Sequence, residues 1–341
     1  MLKKFKEPLN LVTGATGHIG NVLVRSLLEK GEKVRALIWR GEDRTPLKDL
    51  DVECVEGDVL DPASLEKAIQ GVDKIYHLAG IISIMPGKNE IVQRVNVEGT
   101  RNMLTIAQRT GVRRFVYTSS IHAITRAPHG REINEDLPFD TDNPAGVYDR
   151  SKAEASLEVQ EAARQGLNAV IVCPTGVIGP YDYRGSEMGQ VILEAIGTRP
   201  QFYVDGAYDF VDVRDVAQGM ILASEKGRRG ESYILSGERI SVFNLMDTVR
   251  QITGLHFPSI KIPFNLAVFA AQFTPLYYRL THTKPRFTPY SLTTLQSNSN
   301  ISNAKARREL GYKPRSLRDS LVDTIRWFLE NRTLLSNSRG A

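Results

Sequence analysis

Cysteine is scarce in this chain, with only two residues, Cys54 and Cys173, among 341. Both fall in short apolar runs that predict buried strands, and they are far apart, so we expect two small core residues rather than a disulfide or a metal pair. This scarcity excludes a small secreted scaffold held together by disulfides, and it fits a reducing cytoplasm. No metal site is expected.

Long apolar runs are lacking as well. The most apolar stretch, residues 262–280, is interrupted by Pro263, Gln272, Pro275 and Arg279, whereas a transmembrane helix needs about 20 mostly apolar residues. The first predicted strand begins within the first ten residues, with no apolar segment and cleavage site before it, so we expect no signal peptide. The sequence therefore predicts no membrane span and a cytoplasmic location.

A strong imbalance of charge is also missing. The chain has 44 Lys and Arg against 39 Asp and Glu, a net charge of +5. Basic residues cluster only in residues 3–6 and 226–229, and we interpret both clusters as solvated surface. No nucleic-acid partner is expected. With 41% hydrophobic residues, a chain of this length can bury a large core as one closely joined unit.

A glycine-rich turn follows the first apolar run, Leu9 to Thr13. Its glycines, Gly14, Gly17 and Gly20, allow a tight turn and a close approach to a pyrophosphate, which the N-terminus of the following amphipathic helix would attract. A βα turn without a ligand is the alternative. His18, inside the turn, is expected to cover the pyrophosphate or to cap the helix rather than to perform chemistry.

Short apolar runs alternate with helical patterns as far as residue 173, which predicts a parallel, doubly wound α/β sheet. The predicted strands end near Thr13, Trp39, Val55, His77, Thr118 and Cys173, and the predicted helices cover residues 18–30, 62–70, 89–110 and 145–165. Ligands of such sheets bind outside the carboxyl ends of the strands. The segments that follow these ends, and that we expect to meet in one crevice, are Gly57-Asp58-Val59, Leu78-Ala79-Gly80, Ser119-Ser120 and Pro174 to Pro180.

Tyr148 and Lys152 are separated by three residues in a predicted helix, so their side chains emerge one turn apart on the same face. A nearby ammonium favours the phenolate of a tyrosine and would lower its pKa toward the working range of an acid or base. A solvated helix face is the alternative interpretation of the spacing alone. The order of glycine turn, serine pair and Tyr-x-x-x-Lys favours a nicotinamide-dependent enzyme.

In this order the motifs resemble those of the extended short-chain dehydrogenase/reductases, the NAD-dependent epimerase/dehydratase superfamily. The resemblance runs from about residue 8 to about residue 330. Within the superfamily, Tyr117 to Ile121 and Pro174 to Pro180 are most similar to the dihydroflavonol reductase and 3β-hydroxysteroid dehydrogenase branch.

The resemblance implies a Rossmann-type domain with a smaller C-terminal lobe that binds the substrate. We expect residues 1–173 to form the NAD(P)-binding domain, with 207–235 returning to it. Residues 174–206 and 236–335 would form the lobe, and 336–341 a flexible tail. A homodimer packed through the helices of residues 89–110 and 145–165 would be usual for the family. Residues 262–280 would cover the pocket, with peripheral membrane contact as a less favoured alternative.

The resemblance also implies residue roles. Tyr148 would exchange a proton with the substrate oxygen, Ser120 would hydrogen-bond that oxygen, and Lys152 would lower the pKa of Tyr148 and hold a ribose hydroxyl. Ser119 is the alternative to Ser120. The expected cofactor-binding residues are Gly14, Thr16, Gly17, His18, Ile19, Arg40, Asp58, Val59, Leu78, Ala79, Gly80, Thr118, Tyr148, Lys152, Pro174, Thr175, Gly176 and Val177.

The second predicted strand bears on the choice of cofactor. Relatives that prefer NAD usually carry an acid at its end, but here no acid occurs until Glu42. Arg40 could bind a 2′-phosphate and Trp39 could lie against adenine, so we expect NADP(H) to be preferred over NAD(H). An exposed Arg40 with unselective binding is the alternative.

Two phosphate contacts of the sugar-nucleotide enzymes in this superfamily are missing. Tyr208 stands where those enzymes tend to carry an arginine, and Thr175-Gly176 where they tend to carry an asparagine. We therefore expect an apolar or aromatic carbonyl compound as the small-molecule substrate, in a pocket that includes Ile82, Ser83, Ile84, His122, Tyr181 and Tyr208. The alternatives are a nucleotide-sugar epimerase or dehydratase and a non-catalytic NAD(P)-binding redox sensor, which generally lacks the Tyr-x-x-x-Lys pair.

Overall fold

The main body of the protein is a seven-stranded parallel sheet. In a computed structural model, which describes residues 8–83, 89–197, 201–255, 258–274 and 288–331, the strand order is β10-β6-β5-β4-β1-β2-β3. The strands are β1 (Leu9–Thr13), β2 (Lys33–Ile38), β3 (Glu53–Glu56), β4 (Lys74–His77), β5 (Arg114–Thr118), β6 (Ala169–Pro174) and β10 (Ser232–Leu235). The order reverses between β1 and β4, and ligands bind at such a switch point. The predicted doubly wound fold is confirmed.

Helices cover both faces of this sheet. On one face, α1 (His18–Glu29) packs against α7 (Val213–Lys226). The other face is covered by α2 (Pro62–Ala68), α4 (Gly99–Thr110) and α5 (Val147–Arg164). Each face has its own apolar core, because strands covered on both faces must bury side chains in both directions.

The predicted helix over residues 89–110 is interrupted in the structure. A short helix α3 (Glu90–Gln93) leads into a π-helical turn at Arg94–Glu98, and α4 follows. The widened turn carries Asn96, which is buried and hydrogen-bonded outside the helix. A helix interrupted in this way often marks a functional position.

The prediction that Cys54 lies in the core was wrong. Its strand, β3, lies at the edge of the sheet, and both Cys54 and its neighbour Glu53 are exposed. Cys173, on the internal strand β6, is buried as expected. The strand order, which decides which strand is exposed, is not visible in the apolar pattern of one strand.

The second part of the chain forms two small sheets and a set of helices. In one sheet β9 (Ala207–Asp212) lies between β7 (Gly176–Ile178) and β11 (Glu238–Ser241), and in the other β8 (Gln201–Tyr203) pairs with β12 (Ser259–Lys261). The helices are α6 (Glu187–Ala195), α8 (Val242–Thr253), α9 (Phe264–Ala271), α10 (Pro289–Leu295) and α11 (Leu317–Glu330). We refer to these elements as the lobe.

The segment 207–235, expected to return to the Rossmann domain, is shared between the two parts. Its first strand, β9, belongs to a sheet of the lobe, whereas α7 packs on the main body and β10 pairs with β6. The proposed domain limits stay a prediction, and the predicted tail at 336–341 lies outside the described residues. Within the described ranges, none of the helices combines the length and apolar content needed to cross a bilayer.

Candidate active site

The glycine turn is packed too closely against the end of β4 to accept a side chain. Gly14 has φ +66°, and a β-carbon there would lie 2.9 Å from the nitrogen of Ala79. A β-carbon on Gly20 would lie 2.1 Å from the carbonyl oxygen of Gly14. The turn and the Leu78-Ala79-Gly80 segment therefore form one continuous backbone surface, which only glycine permits.

The N-terminus of α1 opens onto this surface. Gly17 caps the helix without any side-chain hydrogen bond, and the first turn contains no acidic residue. The N–H groups of such a turn are suited to an anion, because they carry the positive end of the helix dipole. These residues fit the pyrophosphate of a dinucleotide. The geometry agrees with the assignment of Gly14, Thr16, Gly17, His18 and Ile19, which stays a prediction.

A chain of hydrogen bonds holds the end of β4 against β1. The hydroxyl of Thr13 accepts from the backbone N–H groups of Leu78 and Ala79 at 3.1 and 3.0 Å and lies 2.8 Å from Nδ1 of His77. His77 Nε2 lies 3.1 Å from the hydroxyl of Thr100, which donates to a backbone carbonyl at 2.7 Å. Since the Thr100 hydrogen is used there, Nε2 carries the proton and Nδ1 accepts.

Burial keeps His77 neutral. Its side chain is completely buried. This burial lowers its pKa to about 3, and the nearby charge of Lys152 acts in the same direction. Thr13 and His77 were not among the residues predicted for the site. The available signal was a histidine at the end of an internal strand, next to the small residues that we assigned to the cofactor.

Asn96 connects the segment after β4 to the helix that carries Tyr148. Its side chain accepts from the N–H of Ile81 at 2.8 Å and donates to the carbonyl of Ile81 at 3.0 Å and to the Ser151 hydroxyl at 2.9 Å. Ser151 in turn donates to the carbonyl of Tyr148 at 2.8 Å. Asn96 is therefore a positioning residue that the sequence analysis missed. The only sign of this role in the sequence was an asparagine within a predicted amphipathic helix.

Tyr148 lies in the first turn of α5 and is nearly buried. Burial raises the pKa of its phenol to about 12, the nearby Ser120 hydroxyl acts to lower it, and the charge of Asp149 acts to raise it. Ser120 Oγ also accepts the backbone N–H of His122 at 3.2 Å, which orients the hydroxyl. Tyr148 and Ser120 are thus adjacent, as the sequence predicted.

Lys152 faces the same crevice, one helical turn further along α5. Its ammonium donates to the carbonyl of Thr118 at 2.8 Å and lies 5.0 Å from the centre of the Tyr117 ring. A β-carbon on Gly80 would approach its Nζ to 3.3 Å, so a side chain there would crowd the ammonium. Burial lowers the pKa of Lys152 to about 8.

The expectation that Lys152 lowers the pKa of Tyr148 is corrected by these values. Burial of the phenol dominates, and Lys152 is not among the groups that shift its pKa. The ammonium is directed toward the Thr118 carbonyl instead. A spacing of four residues places two side chains on one helix face, but it does not determine which groups they contact.

The two serines after β5 differ in their surroundings. Ser119 is buried and shares a 2.7 Å hydrogen bond with Ser156 of α5. Ser120 lies beside Tyr148. The geometry therefore favours Ser120 over Ser119 as the serine that contacts a substrate oxygen. Thr118 contributes its carbonyl to Lys152, while its hydroxyl points to the sulfur of Met220.

The remaining residues assigned to the cofactor lie around the same strand ends. His18 Nε2 is 3.0 Å from the carbonyl oxygen of Pro180, so it joins the glycine turn to the loop after β6. Asp58 Oδ1 accepts the N–H of Leu60 at 2.8 Å and thereby closes the turn before α2. Asp61, not Asp58, caps α2. Their direct contact with a cofactor stays a prediction.

Residues near the two ends of the expected cofactor site are in contrasting environments. Trp39 and Arg40, directly after β2, are both exposed. Thr175, after β6, is buried and donates to Asp209 Oδ1 at 2.6 Å. Burial raises the pKa of Asp209 to about 6, although the Thr175 hydrogen bond acts to lower it. Four further assigned residues lie at strand ends or beside them: Val59, Pro174, Gly176 and Val177.

The residues expected to line the substrate pocket fall into separate groups. Ile82 is two-thirds exposed, Ser83 follows it, and Ile84 lies outside the described residues. The ring of Tyr181 lies 4.5 Å from the Arg25 guanidinium and against Trp327 of α11. Tyr208 packs on Phe210, and burial raises its pKa to about 12. Tyr181 is thus engaged in packing between α1 and α11, and substrate contact by these residues stays a prediction.

His122 belongs to a polar cluster beside Tyr148. Its Nδ1 lies 3.7 Å from Oδ1 of Asp149, and burial lowers its pKa although the charge of Asp149 opposes this. Asp149 is completely buried. Its other oxygen, Oδ2, accepts from the hydroxyl of Tyr290 at 3.0 Å, so helix α10 of the lobe is tied to the residue next to Tyr148. Neither Asp149 nor Tyr290 was predicted, because their contact spans 141 residues.

Comparisons with known proteins agree with this geometry. The model of the NAD dependent epimerase/dehydratase family matches residues 10–236. A sterol demethylase protein B from Methylococcus capsulatus is 40% identical over 94% of this chain and 98% of its own length. A putative dihydroflavonol 4-reductase from Synechocystis is 35% identical over 93% of each chain. A 3 beta-hydroxysteroid dehydrogenase/Delta 5-->4-isomerase from Mycobacterium tuberculosis is 31% identical over 89% of this chain and 85% of its own.

Solved structures show the same fold. The crystal structure of gox2253 superimposes with a TM-score of 0.83 at 35% identity, covering 96% of this chain and 99% of that one. A dTDP-glucose 4,6-dehydratase from Bacillus anthracis, solved in complex with NAD, has a TM-score of 0.77 over 97% and 99%, but at 17% identity it supports the fold alone. The resemblance stated from the motifs is confirmed. The chain is an oxidoreductase of the NAD dependent epimerase/dehydratase family.

Proposed function

We propose that this protein is an NADP(H)-dependent oxidoreductase that interconverts a carbonyl and an alcohol on an apolar or aromatic small molecule. The observation that carries the proposal is the meeting of Ser120, Tyr148 and Lys152 at the carboxyl ends of β5 and β6, beside the glycine turn. Their chemistry matches what hydride transfer to a carbonyl requires, namely a proton donor, an oxygen-binding hydroxyl and a cation for the ribose.

The cofactor, when bound, supplies or accepts the hydride. The pyrophosphate would be held by the glycine turn and the N-terminus of α1, and the adenine end would lie near Arg40 and Asp58. The ribose next to the reacting ring would be held by Tyr148 and Lys152. The small Ala79 and Gly80 leave room for the cofactor along this path.

The protonation states at neutral pH are those that reduction of a carbonyl requires. With a pKa of about 12, Tyr148 retains its proton at neutral pH and can donate it to a developing alkoxide. Ser120, whose oxygen accepts the His122 N–H and whose hydroxyl lies beside the Tyr148 phenol, would donate its hydrogen to the substrate oxygen. Lys152, with a pKa of about 8, is mostly charged at pH 7 and can donate to ribose hydroxyls. In the oxidative direction these roles reverse.

The expected substrate class rests on what replaces the missing phosphate contacts. Tyr208 stands in the position where an arginine would be needed, and its pKa of about 12 keeps it neutral. Thr175 is engaged by Asp209. Some relatives are named for reductase activity or for steroids, including a 4-hydroxy-2-methyl-3-oxo-4-farnesyl-3,4-dihydroquinoline-1-oxide ketoreductase from Stigmatella aurantiaca that is 28% identical. Apolar carbonyl compounds are therefore the first substrates to test.

A titration followed by a substrate screen tests the proposal. We expect NADPH to bind more tightly than NADH. Arg40→Ala should reduce this preference, while Lys48→Ala, which changes an exposed cation further along the same loop, should preserve it. The preferred cofactor would then be used to screen ketones, aldehydes and nucleotide sugars. Turnover of a UDP- or GDP-sugar without net redox, with NAD that co-purifies, would replace the proposal with an epimerase or dehydratase.

The homodimer and the cytoplasmic location stay predictions.

A further inference from the structure

Arg184 lies across the entrance to the expected adenine end of the cofactor site. It belongs to the loop between β7 and α6, more than 140 residues from the two groups that it contacts. One of its nitrogens, Nη2, donates to the hydroxyl of Thr16 at 2.7 Å and to Oε1 of Glu42 at 2.7 Å. Thr16 belongs to the glycine turn, and Glu42 to the loop after β2. A single guanidinium thus connects three segments that border the site.

Glu42 is held in place by the backbone of its own loop. Its Oε2 accepts the N–H of Trp39 at 3.2 Å, and its own N–H donates to the Trp39 carbonyl at 3.0 Å. The side chain of Glu42 is 19% exposed, whereas that of Arg184 is 51% exposed. Glu42 is therefore the fixed member of the pair, and Arg184 is the one with space to move.

The charges of this loop show why Arg184 matters. Arg40 is accompanied by two acids, Glu42 and Asp43, and by Arg44, whose charge is used in an ion pair with Glu56 at 2.7 Å. The pKa of Asp43 is lowered first by hydrogen bonds from Thr45 and to a smaller extent by Arg184. Among residues 40–44, Arg40 would then be the one cation left to face two anions without Arg184, because Arg44 is paired with Glu56. A 2′-phosphate, with its nearly double negative charge, would be repelled by that balance.

We propose that Arg184 is a second residue that selects the phosphorylated cofactor, and that it exchanges the carboxylate of Glu42 for the 2′-phosphate when NADP(H) binds. The inference rests on the proposed function, because it assumes a dinucleotide at the glycine turn. The planar guanidinium suits both partners, since carboxylate and phosphate accept from it with the same geometry. Glu42 competes with the phosphate for Arg184 and so weakens the binding of NADPH.

The two variants of this pair distinguish selection from simple structural closure. Arg184→Gln should weaken NADPH binding at least about tenfold, the effect of losing a charge-assisted hydrogen bond, and should change NADH binding less than about twofold. Glu42→Gln should tighten NADPH binding about two- to fivefold, because the competing anion is removed. The opposite signs of the two effects are the diagnostic result. Arg44→Gln, in the same loop but paired with Glu56, is the matched control and should affect both cofactors little.

Binding can be measured without turnover, by energy transfer to NADPH or NADH from the two tryptophans, one of which, Trp39, lies beside Glu42. Equal weakening of both cofactors in Arg184→Gln would place the guanidinium at the pyrophosphate and overturn the inference. Weakening by both Arg184→Gln and Glu42→Gln would reduce the pair to structural closure and overturn it as well. If the unmodified protein binds NADPH no better than NADH, the proposed cofactor choice itself fails. If it prefers NADPH and Arg184→Gln keeps that preference, only the role of Arg184 fails.

Discussion

The main body and the lobe are built in different ways. Strands β5 and β6 of the main body are buried along their whole length. Both ring nitrogens of the buried His77 have a hydrogen-bond partner. The lobe has two small sheets, of three and two strands, and carries exposed aromatic side chains, among them Phe202, Phe269 and Phe273. The residues expected to perform the chemistry therefore lie on fully buried strands, whereas the lobe, which we expect to bind the substrate, exposes more aromatic surface.

This difference explains why the family is easier to recognise than the substrate. The residues that we expect to bind a dinucleotide and to move a proton lie at strand ends and on one helix, where spacing along the sequence reports geometry. The lobe residues reach the site through contacts between distant segments. The predictions below test whether stability and chemistry are divided between the two parts in this way, from the largest expected effect to the smallest.

Phe115→Ala should have the largest effect on stability. Phe115 is fully buried in β5, and removing such a side chain leaves a cavity that costs about 3 to 5 kcal/mol. Urea unfolding followed by circular dichroism would measure the change. A loss below about 1 kcal/mol would contradict the account of the main body as the tightly packed part.

His77 should make the main body sensitive to acid. Its pKa is about 3 in the folded protein and about 6.5 when unfolded, so unfolding takes up a proton below pH 6.5. Its stabilising contribution is present above pH 6.5 and is lost as the pH falls toward 3, by up to about 1.4 kcal/mol per pH unit. Urea unfolding of the parent and of His77→Asn at pH 6.5, 5.5 and 4.5 would give the contribution of His77 to the pH dependence of the free energy of unfolding.

The same series with His129→Asn, which changes an exposed histidine of the surface, serves as the control and should follow the parent. If His77→Asn also loses stability with falling pH as steeply as the parent, the buried neutral imidazole is not the cause.

Tyr290→Phe tests the junction between the two parts. The variant removes the hydroxyl that donates to the buried Asp149 carboxylate, and a hydrogen bond to a charged group contributes about 1.5 to 3 kcal/mol. We expect the free energy of unfolding to fall by about 2 kcal/mol and KM for the carbonyl substrate to rise, since the lobe is released from α5. Tyr203→Phe, another half-buried tyrosine of the lobe, should change either quantity little. Equal behaviour of the two variants would show that the Asp149 contact is dispensable.

Phe269→Ala should have the smallest effect. The side chain is 63% exposed, and surface substitutions usually stay within about 0.5 kcal/mol. It is the lobe counterpart of Phe115→Ala, since the chemical change is identical and only the burial differs. A destabilisation above about 1 kcal/mol, or a changed affinity for NADPH, would mean that this surface is part of the packed structure and that the comparison is wrong.

The sequence predicted the main body well because its signals are local. The ends of β1, β4 and β5 fall at Thr13, His77 and Thr118 as expected, since each is an apolar run closed by small or polar residues. The serine pair follows β5 and Tyr148 lies at the start of α5. The order of these motifs along the chain was enough to predict that they lie close together.

What escaped prediction depends on tertiary contacts. The exposure of Cys54 follows from the position of β3 at the sheet edge, and the raised pKa of Tyr148 follows from burial, neither of which a spacing can report. The contacts of Tyr290 with Asp149 and of Arg184 with Glu42 join segments more than 140 residues apart. The π-helical turn at Asn96 replaces regular hydrogen bonds that the amphipathic pattern implied.

The most direct test of the central claim is the rate of carbonyl reduction by Tyr148→Phe with NADPH saturating. The phenol hydroxyl is the proposed proton donor, so kcat should fall by at least about a hundredfold. The dissociation constant of NADPH, measured by fluorescence, should rise by no more than a few fold, because only one of the two groups holding the ribose is lost. If the variant binds NADPH and reduces every accepted carbonyl at the parent rate, Tyr148 is not the proton donor and the proposed mechanism is wrong.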